Sequence, residues 1–205
     1  MSHFDFNSAE EQRTFELIPA NAICPVVMTI KPGGAGDGGW YTASKRSDAM
    51  MLNCEFTVTD GPYAKRKIFQ YMVVSGGTLN DRGESKAGNI TRSTMRAMLE
   101  SARNLRPDDM SDAAVNKRRT SGWQDFNGLC FVIKVGVEKG QEGYQDRNKI
   151  MTVITPDMKE YSPAPQVAAP AAPMPQGASA PSAAPAWGNP PPPAANSNPA
   201  PAWAR

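Results

Sequence analysis

The sequence MMLNCEFTVTDGPYAKRKIFQYMVV, residues 50–74, joins two strand patterns through a charged turn, and the rest of the chain is read outward from it. In the first arm Met50, Leu52, Cys54, Phe56 and Val58 alternate with Met51, Asn53, Glu55, Thr57 and Thr59. That is the period of two of a strand with one buried face. Asp60, Gly61 and Pro62 stop it, because Asp-Gly favours a turn and Pro62 has no N–H for a ladder. The second arm sets Phe69, Tyr71 and Val73 on one face and Ile68, Met72 and Val74 on the other. A β-hairpin with both faces of its second arm in use is predicted.

Between the arms, Tyr63, Lys65, Arg66 and Lys67 stand just before Phe69 and Tyr71. Cations neutralise phosphates, and flat rings stack on unpaired bases of any sequence, so the mixture suits nucleic acid. A solvated turn above ordinary core aromatics accounts for the same residues. Trp40, Tyr41, Lys45 and Arg46 repeat the combination of rings and cations on the approach to the hairpin.

Upstream, residues 22–31 read as a strand, with Pro25 pointing to a bulge or an edge near its start. The loop PGGAGDGG that follows contains Gly34, Gly36 and Gly39 and matches GxGxxG. A dinucleotide fingerprint opens a helix at once and a P-loop continues with Lys-Ser/Thr, whereas Trp40 and Tyr41 follow here, so a connection between strands is the reading. Residues 1–19 are polar with Phe4, Phe6, Phe15 and Leu17 interspersed, and read as a short arm that packs against the core.

Downstream of a polar loop, NITRSTMRAMLESARNLRP reads as a helix, with Met95, Met98, Leu99, Ala102 and Leu105 forming an apolar stripe and Pro107 ending it. Arg92, Arg96 and Arg103 share an adjoining face, which is either a solvated surface or an accessory phosphate surface. A mixed-charge connector with a helical turn or two from Ser111 leads to strands over residues 129–137 and 147–155.

The order strand, strand, strand, helix, strand, strand is that of an OB-fold. The predicted fold is therefore mainly β: a five-stranded, partly open, OB-fold-like barrel with one helix between strands 3 and 4, over residues 1–161. Residues 162–205 hold 13 of the 19 prolines and a single charge at Arg205, too little branched apolar material for a core, and read as a disordered tail. Within it AAPAWGN at 183–189 and PAPAWAR at 199–205 place Trp187 and Trp203 in matching settings. They make either a docking motif or a spacer with incidental tryptophans.

The net charge of +2 over 205 residues hides a gradient: residues 1–61 carry four Lys/Arg against eight Asp/Glu, and residues 62–106 carry nine against three. A local basic surface follows. Cys24, Cys54 and Cys130 are far apart among apolar neighbours and read as buried thiols. His3 is the only histidine, at the N-terminus, and no GKS/T or nucleophile elbow occurs, so neither an enzyme nor a cofactor nor a metal site is expected. Asp108, Asp109 and Asp112 read as a solvated cap rather than a Mg²⁺ site. No apolar run approaches the ~18 residues of a membrane span, and a cytoplasmic setting is expected.

Two motifs, DGPYAKRKIF at 60–69 and YQDRNKI at 144–150, with WQDFNGLCFVIKV between them, resemble a family of small phage and prophage proteins. These are encoded beside recombination and replication functions and regarded as single-stranded-DNA-binding proteins. The likeness spans roughly residues 15–155. The family's turn reads Asp-Gly-Pro-Tyr, a variable residue, then Gly-Arg-Lys; here Lys65 replaces the glycine. The resemblance implies an OB-like barrel and DNA binding, in the host cytoplasm if phage-encoded.

On chemistry, Tyr63, Phe69 and Tyr71, with Trp40 and Tyr41, are the stacking candidates, and Lys45, Arg46, Lys65, Arg66 and Lys67 the phosphate contacts. Expected partners are single-stranded DNA, replication or recombination proteins engaged through Trp187 and Trp203, and further copies of the chain, with no membrane. The alternative is a protein-binding adaptor acting through its Pro/Ala/Trp tail.

Overall fold

The hairpin forms as its alternation requires. β3 (Met50–Val58) and β4 (Lys67–Ser75) pair antiparallel, with Glu55 opposite Phe69 and Asn53 opposite Tyr71. Leu52, Cys54, Phe56 and Val58 turn inward and are buried, as are Ile68 and Met72 of β4. The computed structural model describes residues 7–8, 16–141 and 143–165. The tail with Trp187 and Trp203, and Phe4, Phe6 and Phe15 of the arm, lie outside the described residues.

The remaining elements are β1 (Ile23–Lys31), β2 (Tyr41–Ala43), α1 (Lys86–Ala102), α2 (Asp112–Arg118), β5 (Cys130–Glu138) and β6 (Arg147–Ile154). All strand pairs are antiparallel, along the path β4, β3, β1, β5, β6. The short β2 was not anticipated. It takes over the β3 edge where β1 leaves it, with Tyr41 opposite Leu52 next to the Lys31–Asn53 pair.

Pro25 sits in a central strand rather than at an edge. Its carbonyl accepts from the Thr59 N–H at 2.9 Å, on the side facing β3, just past the last β1–β3 pair at Val26–Val58. The missing N–H thus lies beyond the end of that ladder and interrupts nothing.

Four reversals along the path leave its end strands, β4 and β6, running in the same direction. No ladder joins them among the described residues, so the sheet is open at this seam. Side chains fill it instead. The Ile150 N–H donates to Gln70 Oε1 at 3.0 Å. The Ile18 N–H donates to Asn148 Oδ1 at 2.9 Å while Asn148 Nδ2 donates back to the Ile18 carbonyl at 2.8 Å, holding the Ile18 side chain in the core. Because an amide stranded without a partner costs about 1–3 kcal/mol, Gln70→Leu is expected to lower stability by that amount in urea unfolding; an unchanged midpoint would show that Ile150 is satisfied otherwise.

α1 packs against β4, β5 and β6 through Met95, Met98 and Leu99. It starts three residues before the predicted Asn89, because Ser85 Oγ accepts from the Gly88 N–H at 3.1 Å. Gly88 is needed there: a Cβ would lie 2.6 Å from the Val74 carbonyl of β4. The helix stops well before Pro107, at an Asn104 with φ of 52°. Phe56 and Phe131 meet edge-on at 6.1 Å in the core.

Candidate nucleic-acid interface

The outer face of the hairpin carries two rings that the core does not use. Phe69 is 52% exposed and Tyr71 54%, two residues apart on β4, whereas the intervening Gln70 points into the seam. Residues two apart on a strand are about 6.8 Å apart, twice the ~3.4 Å step of a stacked strand, so successive bases can lie on both rings only in an extended, unpaired strand.

Cations surround the rings. Lys31 Nζ of β1 stands 5.2 Å from the Phe69 ring centroid and 2.7 Å from Glu55 Oε2. Lys67 Nζ of β4 is 2.6 Å from Glu55 Oε1. Burial alone would push the Glu55 carboxyl up, but the two ammonium groups outweigh it and hold the group below the usual carboxylate range. A depressed folded value means that the pair stabilises at neutral pH and that this contribution is lost as pH falls through it.

Lys65, also exposed, closes the hairpin turn, its N–H donating to the Val58 carbonyl at 2.8 Å. It does so at φ of 69°, a left-handed conformation that favours glycine. Lys65→Gly is therefore expected to gain about 0.5–1 kcal/mol of stability in thermal unfolding, while removing one cation from the face. A loss of stability would mean that the side chain itself is anchored.

At the far end of β4 the exposed Lys45 and Arg46 lie in the loop before β3. Asp48 Oδ1 of that loop accepts from the Gly77 N–H at 2.9 Å, which seats the loop beside the exit of β4. The cations thus bracket the rings along a strand about 26 Å long.

Other predicted contacts are drawn elsewhere. Trp40 is 7% exposed and belongs to the core. Tyr41 stands opposite the fully buried Leu52 and so faces inward, where its hydroxyl accepts from Trp123 Nε1 at 3.0 Å. Neither offers a stacking face. Tyr63 packs partly against the core, with the Arg66 guanidinium 5.6 Å from its ring centroid. Arg66 also donates to the Glu16 carbonyl and is spent on the turn. The glycine loop before Trp40 folds into a short 3₁₀ turn at 37–39 and not an α-helix; a Cβ on Gly36 would strike the Tyr41 ring at 2.2 Å.

Of the three α1 arginines, Arg92 is exposed, while Arg96 and Arg103 are engaged within the chain. Arg96 binds Glu100 and the Pro107 carbonyl, and Arg103 binds the carbonyls of Lys117 and Arg119. Asp108 pairs with Arg106 at 3.1 Å, and Asp109 accepts from the Ser111 N–H at 2.9 Å. Among the described residues no group of three or more His, Cys, Asp or Glu is placed to hold a metal ion. The three cysteines are buried, and burial pushes the Cys54 thiol up to about 12.

Sequence reasoning missed Lys31, whose place over Phe69 follows only from the β1–β3–β4 register. Tyr144, the first residue of the YQDRNKI stretch, is 79% exposed in the β5–β6 hairpin. A groove of about 850 Å³ opens beside Phe69, with Ile18 and Ile68 in its lining and Lys65, Lys67 and Arg147 among its charged groups.

No protein-family model matches the chain, and no curated protein matches it. Among the described residues no helix is long and apolar enough to cross a membrane.

Proposed function

We propose that the chain binds single-stranded DNA without strong sequence preference, in phage replication or recombination. The observation that carries this reading is the pair of half-exposed rings, Phe69 and Tyr71, standing on one strand between two sets of cations. The rings take bases by their faces, which every base has, and the cations take phosphates. The strand path, with like-directed β4 and β6 at its two ends and α1 between β4 and β5, supports a five-stranded, partly open barrel of the OB type, in which the face of the second and third strands carries the ligand. The phage setting rests on the likeness of the turn and YQDRNKI motifs. No catalytic step is proposed.

The test is fluorescence anisotropy of the full chain with labelled oligo-dT and a duplex of equal length across a salt series. Lys45, Arg46 and Lys65, with the net single charge of Lys31, Glu55 and Lys67, amount to about four phosphate contacts, so log K for oligo-dT is expected to fall against log salt with a slope of about −3, at ~0.7 per contact. Duplex is expected to bind much more weakly. Equal affinity for both, or none for either, would overturn the reading and turn attention to the tail.

A further inference from the structure

Glu55 is out of place on a face that binds a polyanion. It is 6% exposed although it lies on the outward side of β3, and its carboxylate bridges Lys31 of β1 and Lys67 of β4 at 2.7 and 2.6 Å. Its neighbours across the ladders are Thr29 and Phe69. The centre of the face, where the rings are, therefore carries one net positive charge from two lysines, and Lys65, Lys45 and Arg46, which make no ion pair among the described residues, stand at its ends.

Resting on the single-strand reading above, we propose that Glu55 is the residue by which this face discriminates unpaired from paired nucleic acid. A duplex keeps the faces of its bases stacked inside, so without base-edge readout it must gain its affinity from charge. Across the middle of this face it finds two ammonium groups already engaged and a carboxylate that repels it. An unpaired strand turns its uncharged bases to Phe69 and Tyr71 there, and its phosphates reach the cations at either end. The same carboxylate fixes Lys31 over the Phe69 ring, so it shapes the platform that the bases meet.

The test compares the full-length chain with its Glu55→Gln variant, which keeps the shape and removes the charge, on oligo-dT and an equal-length duplex over a salt series. Duplex affinity is expected to rise about tenfold and its log K–log salt slope to steepen by about 1 to 2, as one or two lysines become available to phosphate. Oligo-dT affinity is expected to rise by less, so the preference for single strand narrows. Glu55→Asp, which retains the charge, is expected to keep most of the preference.

Lys67→Gln gives an independent reading if Glu55→Gln does not fold. It leaves the carboxylate opposed by Lys31 alone, and duplex binding should fall by more than oligo-dT binding. An unchanged preference in the folded Glu55→Gln chain, or a widened one, would overturn the proposal and leave Glu55 a tie between strands. If the unmodified chain bound neither oligonucleotide, the single-strand reading would fall and this proposal with it. Tight oligo-dT binding with an unaltered preference in Glu55→Gln would sink this proposal alone.

Discussion

Replacing Phe69 and Tyr71 by alanine is expected to weaken oligo-dT binding by about 1–3 kcal/mol per ring, roughly 5- to 150-fold each, with the double variant close to non-binding at moderate salt. Stability should change little. Both side chains point away from the core and are more than half exposed, so truncation opens no cavity, in contrast to Phe56 or Phe131. Tyr71→Phe keeps the ring and is expected to bind nearly as the unmodified chain does. Anisotropy alongside chemical unfolding separates the outcomes: lost affinity with retained stability supports the stacking surface, and retained affinity removes it. Trp40 supplies the opposite control, since a buried ring should lose stability on truncation whatever the ligand.

The largest loss of stability is expected at Arg118, on the connector rather than in the sheet. Its Nε binds Glu100 at 2.7 Å, and its two terminal nitrogens donate to the carbonyls of Asp109 at 2.6 Å and Arg106 at 2.8 Å. Glu100, 3% exposed on α1, has Arg96 as its second partner at 2.8 Å. Arg118→Ala removes the guanidinium that ties α2 and the 106–109 loop to α1 and leaves a buried carboxylate half-compensated. A cost of about 3–5 kcal/mol is expected in urea or guanidinium unfolding. The double variant Arg118→Met/Glu100→Leu should recover part of it, because removing both charges also removes the desolvation cost of the carboxylate. A loss below about 1 kcal/mol would show that Arg96 alone satisfies Glu100.

Five of the six strands, all but the three-residue β2, were legible because their signal is local. The alternation of residues 50–58 places Leu52, Cys54, Phe56 and Val58 in the core, and the α1 stripe places Met95, Met98 and Leu99 there. The two faces of β4 were read correctly for the same reason. What escaped depends on partners distant in sequence. Ile18 follows Leu17 with no pattern that marks it for the core, and the amide of Asn148, 130 residues away, holds its backbone at the seam. Gln70 gives no sign in sequence that it closes the gap to β6. Tyr41 looked like a surface ring until the register of β2 set it opposite Leu52. Arg103 looked solvated because its acceptors are backbone carbonyls, which no residue pattern reveals. Glu55 read as an ordinary outward residue, since its two lysines come from strands on either side.

The most direct measurement is photo-crosslinking of the full chain to oligonucleotides carrying 5-iodo-deoxyuridine, with the attached peptides sequenced by mass spectrometry. A base stacked on Phe69 or Tyr71 should place the adduct in residues 68–82, the tryptic peptide that follows Lys67. Attachment at Phe69 or Tyr71, competed by unlabelled oligo-dT and weakly by duplex, is the expected result. Adducts confined to the tail at Trp187 or Trp203, or none at all, would contradict a stacking surface on β4.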